Sequence, residues 1–396
     1  MPSSTAAARR IDALLGVALR LARTAPSGRI ALARLARLVD PAWIKQPAGA
    51  ELAAELEAAR ARVPDPMPAR EVERALRSAW GVKPAEELDE LGSEPVAVTP
   101  TAQVHRGVLD SEPVAIKLLR PGVAASVRQD LVLLDGLAGP LSAAFPALDA
   151  SALIREAAER IQDELDLEHE AEQMRRFHRA LRSHPFLTVP APVTRLSHAG
   201  VLVSAWIDGV PIARAPDPDL AAARLVAFVI GAARFGFVHA DPDPDDVLVQ
   251  ADGGLAILDF GATRAVVPER VKGVDAALEA FADEDAPALG RALAQLGALP
   301  ENEAASLIEL ARHAWPAPGR SRLDTPAVIA ARDRLLERPH ELLRLALAAR
   351  MAPEDLWPVL AVVQLFATIA RVGASGDWLA LSRVALRDGW STNATD

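Results

Sequence analysis

The sequence predicts an α+β chain in two lobes, a small β-plus-helix lobe followed by a mainly helical one, with a helical extension ahead of both. Three observations predict it. The first ninety residues are rich in Ala, Leu, Arg and Glu and read as helical. Around Glu94 the texture changes to short β-branched stretches separated by turn residues. Beyond Gly209 helical patterns return, interrupted by a loop-and-strand region at Val238–Ala265. These changes divide the chain into 1–90, an extension, 91–208, the smaller lobe, and 209–396, the helical lobe.

The elements follow in order. Met1 to Thr24, with Arg9, Arg10, Arg20 and Arg23 around the apolar Ala13–Leu19, reads as an amphipathic helix, the run being too short to span a bilayer. Ala48–Val63 has the spacing of a second amphipathic helix, which Pro64, Pro66 and Pro68 stop. A short helix over Ala69–Gly81 comes next. Val96–Val98, Ala102–Leu109 and Pro113–Leu119 read as strands, the last two joined through Asp110-Ser111 as a hairpin. Val123–Phe145 and Ser151–Leu181 are long helical patterns, the first dented at Gly139-Pro140. Phe186–Arg195 and Gly200–Ile207 read as another strand pair. Leu356–Ala370 is the most apolar run; at about 15 residues and with Gln364 inside it, it falls short of the ~20 a transmembrane helix needs and is expected to be a buried helix.

Composition excludes whole classes of function. The 396 residues include no cysteine, which removes disulfides, thiolate nucleophiles and Cys-ligated metal centres. A net charge of −10 argues against a nucleic-acid partner, since phosphate backbones demand a Lys/Arg surplus. The seven tryptophans are scattered and form no stacking platform.

The chemistry sits in four short strings. Val114-Ala115-Ile116-Lys117 ends a predicted strand, where a lysine can reach nucleotide phosphates if a helix glutamate holds it. His239-Ala240-Asp241 is followed five positions on by Asp246, the spacing between catalytic Asp and metal-binding Asn in a kinase loop. Leu255–Leu258 then runs as a strand into Asp259-Phe260-Gly261. Strand lysine, catalytic-loop aspartate, second metal ligand and Asp-Phe-Gly stand in protein-kinase order, so the two lobes are expected to be kinase-like. Glu164, Asp166 and Glu170 are the candidate partners of Lys117; on one continuous helix Glu164 and Glu170 would point about 120° apart and serve different neighbours. His105 and His178, isolated histidines, read as packing residues.

The chain resembles the UbiB/AarF family of atypical protein-kinase-like ATPases, linked to coenzyme Q (ubiquinone) biosynthesis. The resemblance rests on Ala102-Gln103-Val104-His105-Arg106, on Val114–Lys117 continuing into Arg120-Pro121-Gly122-Val123, on Glu164-Leu165-Asp166 with Glu170-Ala171, on Gly236-Phe237-Val238-His239-Ala240-Asp241-Pro242 and on Asp259-Phe260-Gly261. It implies ATP and Mg²⁺ (or Mn²⁺) as cofactors. Lys117 would contact phosphates and pair with Glu170, Asp241 would be the catalytic aspartate, and Asp246 and Asp259 would hold the metal. Ala115, Lys117, Ala205 and Ile207 would line the nucleotide, and Glu164 and Asp166 would have structural or regulatory roles. It also implies lipid or quinone-pathway partners and a cytoplasmic location with peripheral membrane contact.

This sequence departs from the family pattern. The family's Lys-x-Gly-Gln motif, which covers the active site, is missing from the equivalent stretch near Ala36–Val39. Ala97-Val98-Thr99-Pro100-Thr101 replaces the alanine-rich nucleotide loop, and Pro100 removes one N–H. The hinge glutamate is Ala205, and the catalytic loop's His-Pro-Gly-Asn is Asp243-Pro244-Asp245-Asp246. Asp243, Asp245 and Asp246 are expected to crowd Asp241 and Asp259 in one pocket and strengthen metal dependence. Three functions compete: metal-dependent ATP binding with slow hydrolysis or phosphoryl transfer in lipid or quinone metabolism, a catalytically degenerate pseudokinase acting as a nucleotide-sensing or partner-binding module, and a small-molecule phosphotransferase.

Overall fold

The structure, a computed structural model, describes residues 50–61, 64–136, 138–163, 165–316 and 319–390. The Met1–Thr24 helix, the stretch around Ala36–Val39 and Glu164 lie outside the described residues. Helix α1 (Ala50–Ala61) and helix α2 (Ala69–Trp80) fall where apolar spacing predicts them, and Gly81 ends α2 in the left-handed conformation, its N–H returning to Arg77 O. A single helical turn, α3 (Pro84–Glu87), precedes the sheet.

Strands β1 (Glu90–Val98), β2 (Ala102–Leu109) and β3 (Glu112–Leu119) are antiparallel neighbours. Asp110 and Ser111 turn β2 into β3 with φ of 52° and 68°, the left-handed pair a two-residue hairpin needs. Side chains alternate across β3. Val114, Ile116 and Leu118 enter the core of the small lobe, against Val72 and Leu76 of α2, so Ala115, Lys117 and Leu119 are left on the opposite face.

After β3 the chain forms α4 (Val123–Asp135), α5 (Ala138–Ala144), α6 (Ala150–Asp163) and α7 (Leu167–Leu181). The first long pattern divides before Ala138 rather than at Gly139-Pro140, because Pro140 falls in the first turn of α5, where a missing N–H costs nothing. Ser151–Leu181 is two helices, not one: Asp166 adopts an extended backbone and its carboxylate accepts from Glu168 N and His169 N, capping α7. Glu170 therefore belongs to α7 alone, and no single helix runs from Ser151 to it.

The expected pairing of Phe186–Arg195 with Gly200–Ile207 does not form. Strand β4 (Leu187–Thr188) joins the second lobe, parallel to a later strand, whereas β5 (Val201–Ala205) completes the first sheet in the order β1-β2-β3-β5. Pro190 and Pro192 lie between them; lacking N–H groups they cannot sustain a ladder, and only a bridge between Pro192 and Ser204 remains.

The second lobe holds β6 (Val210–Pro211), α8 (Pro218–Gly231), β7 (Phe237–His239), β8 (Val247–Val249), β9 (Leu255–Ile257) and β10 (Thr263–Ala265). Its sheet runs β4-β9-β8-β6, and β7 pairs with β10, setting His239 opposite Thr263. Then come α9 (Pro268–Ala282), α10 (Ala286–Gln295), α11 (Ala304–Ala314), β11 (Ser321–Leu323), α12 (Thr325–Glu337), α13 (Pro339–Ala348), α14 (Leu356–Val372), β12 (Ala374–Gly376) and α15 (Trp378–Asp388).

Helix α14 is less enclosed than its composition predicts. A 3-10 turn at Pro353–Asp355 runs into it, making a 20-residue helical stretch, long and apolar enough by length and composition to cross a membrane; 39% of its most apolar window is buried inside the fold. Ala361, Leu365 and Ile369 join the main core, and Val359, Val362 and Val363 face outward. Trp357 Nε1 donates to Glu156 of α6, and Asp163 of α6 pairs with Arg264 of β10.

Candidate functional site

Between the lobes lies a cavity of about 410 Å³, walled by the cavity face of β2, β3 and β5, by α7, and by the loops after β7 and β9. Each element delivers its side chain by a simple rule. Strand alternation sends Ala115 and Lys117 inward from β3, and Leu202 and Ser204 from β5. Helix α7 buries Leu167, Ala171, Met174, Phe177 and Leu181 on one stripe, and Glu170 lies on that stripe at 1% exposure. A carboxylate so placed needs a partner.

Lys117 is that partner. Its Nζ donates to both Glu170 oxygens at 2.9 Å and to Asp259 Oδ2 at 2.8 Å. Two carboxylates thus share one ammonium. Burial, reinforced by the charge of Asp259, raises the Glu170 carboxyl to about 7 even against the opposing pull of Lys117. Burial pushes the Lys117 ammonium down, but the two carboxylates outweigh it and hold it above its ordinary value. Asp259 would likewise be raised by burial, yet contact with Lys117 and the Gly261 N–H holds it well below the usual carboxylate range.

The two loops form one piece. Ala240 N donates to Ala262 O, Leu258 N donates to Asp246 O, and His239 Nε2 donates to Asp259 O at 2.6 Å. Phe260 is fully buried against Phe177, with ring centroids 5.0 Å apart. This clamping brings Asp241, Asp246 and Asp259 to the same cavity as Lys117 and Glu170.

Of the five expected carboxylates, Asp241, Asp245, Asp246 and Asp259 line the cavity; Asp243 does not. It is buried, and its Oδ1 accepts from Asp245 N to cap the 3-10 turn Pro244–Asp246. Asp208, on the segment after β5, lines the cavity instead and accepts from Trp206 Nε1. Ala205 and Ile207 line the same wall, and the Ala205 N–H is spent on Ala191 O. Asp166 is exposed, does not line the cavity and caps α7. His105 and His178 are bonded through Nδ1 to the carbonyls of Gly92 and Val189.

The turn between β1 and β2 is closed on itself. Thr99 N donates to Ala102 O, Ala102 N donates to Thr99 Oγ1, and Pro100 has no N–H. Three of its four positions therefore offer no amide to a phosphate, unlike a glycine-rich cradle.

The donor set suits a hard divalent cation. Asp246 and Asp259 both line the cavity, and among the described residues no three His, Asp or Glu side chains converge into a cage. Mg²⁺ is held by one or two carboxylates together with substrate phosphates and water, so a two-carboxylate site fits it.

The fold and site define a kinase-like protein. The chain belongs to the ABC1 atypical kinase-like domain family, whose model matches residues 60–293. It is 32% identical over 222 residues to an uncharacterized aarF domain-containing protein kinase, chloroplastic, of Arabidopsis thaliana, covering 55% of this chain and 32% of that one. To the probable protein kinase UbiB of Marinobacter nauticus it is 27% identical over 337 residues, 79% of this chain and 58% of the relative. To the atypical kinase COQ8B, mitochondrial, of Danio rerio it is 30% identical over 219 residues, 50% of this chain and 33% of the other. The chain thus spans between 32% and 58% of the length of these three curated relatives. Among solved structures, Rv3197 of Mycobacterium tuberculosis in complex with erythromycin shares the fold, with TM-score 0.62, 24% identity, and coverage of 80% of this chain and 82% of that one.

Two features escaped sequence reasoning. Asp208 carried no signal beyond its place after the hinge strand. Gln364 of α14 donates from Nε2 to Asp241 Oδ1 at 2.8 Å; its signal was a lone amide in the most apolar run of the chain.

Proposed function

We propose that this protein binds ATP with a divalent metal in the cavity between its lobes and carries out slow hydrolysis or phosphoryl transfer. The observation that carries the reading is the Lys117–Glu170–Asp259 cluster facing Asp241 and Asp246 across one cavity. Lys117 would hold the phosphates and Glu170 would orient Lys117. Asp241 would accept the proton of the attacking hydroxyl or position a water, and the backbone around Ala205 and Ile207, with Ala115, would flank the base. Asp246 and Asp259 would hold Mg²⁺ or Mn²⁺, which when bound neutralises phosphate charge. With the Thr99–Ala102 turn closed, phosphate binding would fall on Lys117 and on the metal that Asp246 and Asp259 would hold. Relatives named UbiB and COQ8B support a place in isoprenoid-quinone or lipid metabolism, and the apolar 20-residue stretch that ends in α14 supports peripheral contact with a membrane.

A second reading, a pseudokinase that senses nucleotide and presents a surface to partners, is favoured by the same closed turn and by Asp246 where kinases carry a neutral Asn. Thermal unfolding with ATP, with and without Mg²⁺ or Mn²⁺, separates the readings from a failed site. Ligand at 100 times its dissociation constant stabilises by ~2.7 kcal/mol. A metal-dependent rise in Tm that Asp259→Ala abolishes, followed by ATP turnover that Asp241→Asn abolishes, supports the first. A shift without turnover leaves the second, and no shift under any condition removes both.

A further inference from the structure

Helix α14 is apolar almost throughout, and its buried positions are Ala361, Gln364, Leu365, Ala367, Thr368, Ile369 and Ala370. The two polar members stand one helical turn apart and thus on one face. Both side chains reach a loop more than 120 residues earlier in the chain. Gln364 Nε2 donates to Asp241 Oδ1 at 2.8 Å, and Thr368 Oγ1 donates to Pro242 O at 2.8 Å.

We infer that Gln364 is a positioning residue for the Asp241 carboxylate, with Thr368 fixing the backbone immediately after it. The inference rests on the reading of Asp241 as the group that receives or directs the attacking proton. Gln364 is 1% exposed, and its Oε1 is buried without a hydrogen-bond partner. An orphaned carbonyl makes a poor core residue; Leu or Met would fill the same volume without that cost. The amide does what neither could: it holds one carboxylate oxygen and so sets the direction in which the other points. Asp241 sits on a loop, where side chains turn freely unless something fastens them, and a general base works only within hydrogen-bond reach of its proton. Fastening comes from α14, a helix wedged against the main core through Leu365 and Ile369 and tied to α6 through Trp357 and Glu156.

The test is ATP turnover and nucleotide affinity in Gln364→Leu, Gln364→Asn and Thr368→Val, with Tm as the check on folding. Gln364→Leu is expected to lower kcat about ten- to a hundredfold, with the Kd for Mg²⁺–ATP within about threefold of wild type and Tm unchanged or higher. Gln364→Asn, which keeps the donor on a shorter arm, should fall between, and Thr368→Val should lose less than Gln364→Leu. Retention of kcat within twofold in Gln364→Leu overturns the inference, as does a loss of kcat that merely follows a fall in Tm or in affinity. Should the wild type bind nucleotide and not turn it over, the functional reading fails separately, and the crystal structure of Gln364→Leu decides this one: a reoriented Asp241 carboxylate supports it, an unmoved one overturns it.

Discussion

Glu170 meets Lys117 with both carboxylate oxygens at 2.9 Å, from the buried face of α7 that it shares with Leu167, Ala171, Met174 and Phe177. With Asp259 on the same ammonium, the cluster carries one net negative charge, and its protonation should be visible in stability. The folded chain binds the Glu170 proton more tightly than the unfolded chain, at about 7 against an ordinary 4.5. That contribution is full below about pH 4.5 and is lost as pH rises through 7, by roughly 1–3 kcal/mol. Asp259, held low, contributes in the opposite sense: its stabilisation is full above its ordinary range and is lost as pH falls below it. Denaturant titrations from pH 4.5 to 8 should show the neutral-side decline in wild type and a flatter profile in Glu170→Gln.

Removing the cation should be costly. Lys117→Met leaves Glu170 buried beside Asp259 with no counter-charge, an expected loss of about 2–4 kcal/mol at pH 8. The loss should shrink at pH 5.5, where Glu170 takes up a proton in compensation. Equal losses at both pH values would show that Glu170 is not the group responding.

Asp246→Asn removes one charge from a cavity lined by four other aspartates. We expect the gap between nucleotide binding with and without Mg²⁺ to narrow by about tenfold, ~1.4 kcal/mol, because the free site repels phosphate less. Calorimetric titration with ATP in EDTA and in Mg²⁺ measures it.

The closed turn at Thr99 makes its own prediction. Thr99→Ala deletes the acceptor of the Ala102 N–H, at a cost of about 0.5–1.5 kcal/mol to the free protein. That amide then becomes available to a phosphate, so Thr99→Ala should gain nucleotide affinity relative to its lost stability. Parallel denaturation and binding curves on the one variant check both halves.

Asp166→Ala should cost about 1 kcal/mol through the loss of the α7 N-cap, with Asp166→Asn nearly neutral because an Asn oxygen caps as well. Chemical denaturation of the two variants distinguishes a cap from a charge that acts on the cavity.

Much of this architecture was legible because it follows local periodicity. The β2–β3 hairpin, the alternation that aims Lys117 and the left-handed stop at Gly81 each depend on residues within a few positions. What periodicity cannot see is a cap that interrupts it: 151–181 keeps helical spacing across Asp166, yet the Asp166 carboxylate holds two amides that a continuous helix would have committed elsewhere. Nor does spacing reveal which way a turn faces. Asp243 shares its neighbours' chemistry and lies buried behind them. The Gln364–Asp241 contact spans 123 positions, and only the fold brings the two side chains together.

Phe260 has a consequence for ligand discovery. Its ring is fully enclosed and rests on Phe177 and His239, with centroids 5.0 and 5.5 Å away. Compounds that demand an outward swing of this phenylalanine must first vacate that nest, at about 3–5 kcal/mol, which weakens them by roughly two to four orders of magnitude. Small molecules aimed at this protein should therefore succeed by competing for the cavity as it stands, along the Ala205–Asp208 wall, and chemical libraries biased toward displaced-phenylalanine scaffolds should return few hits.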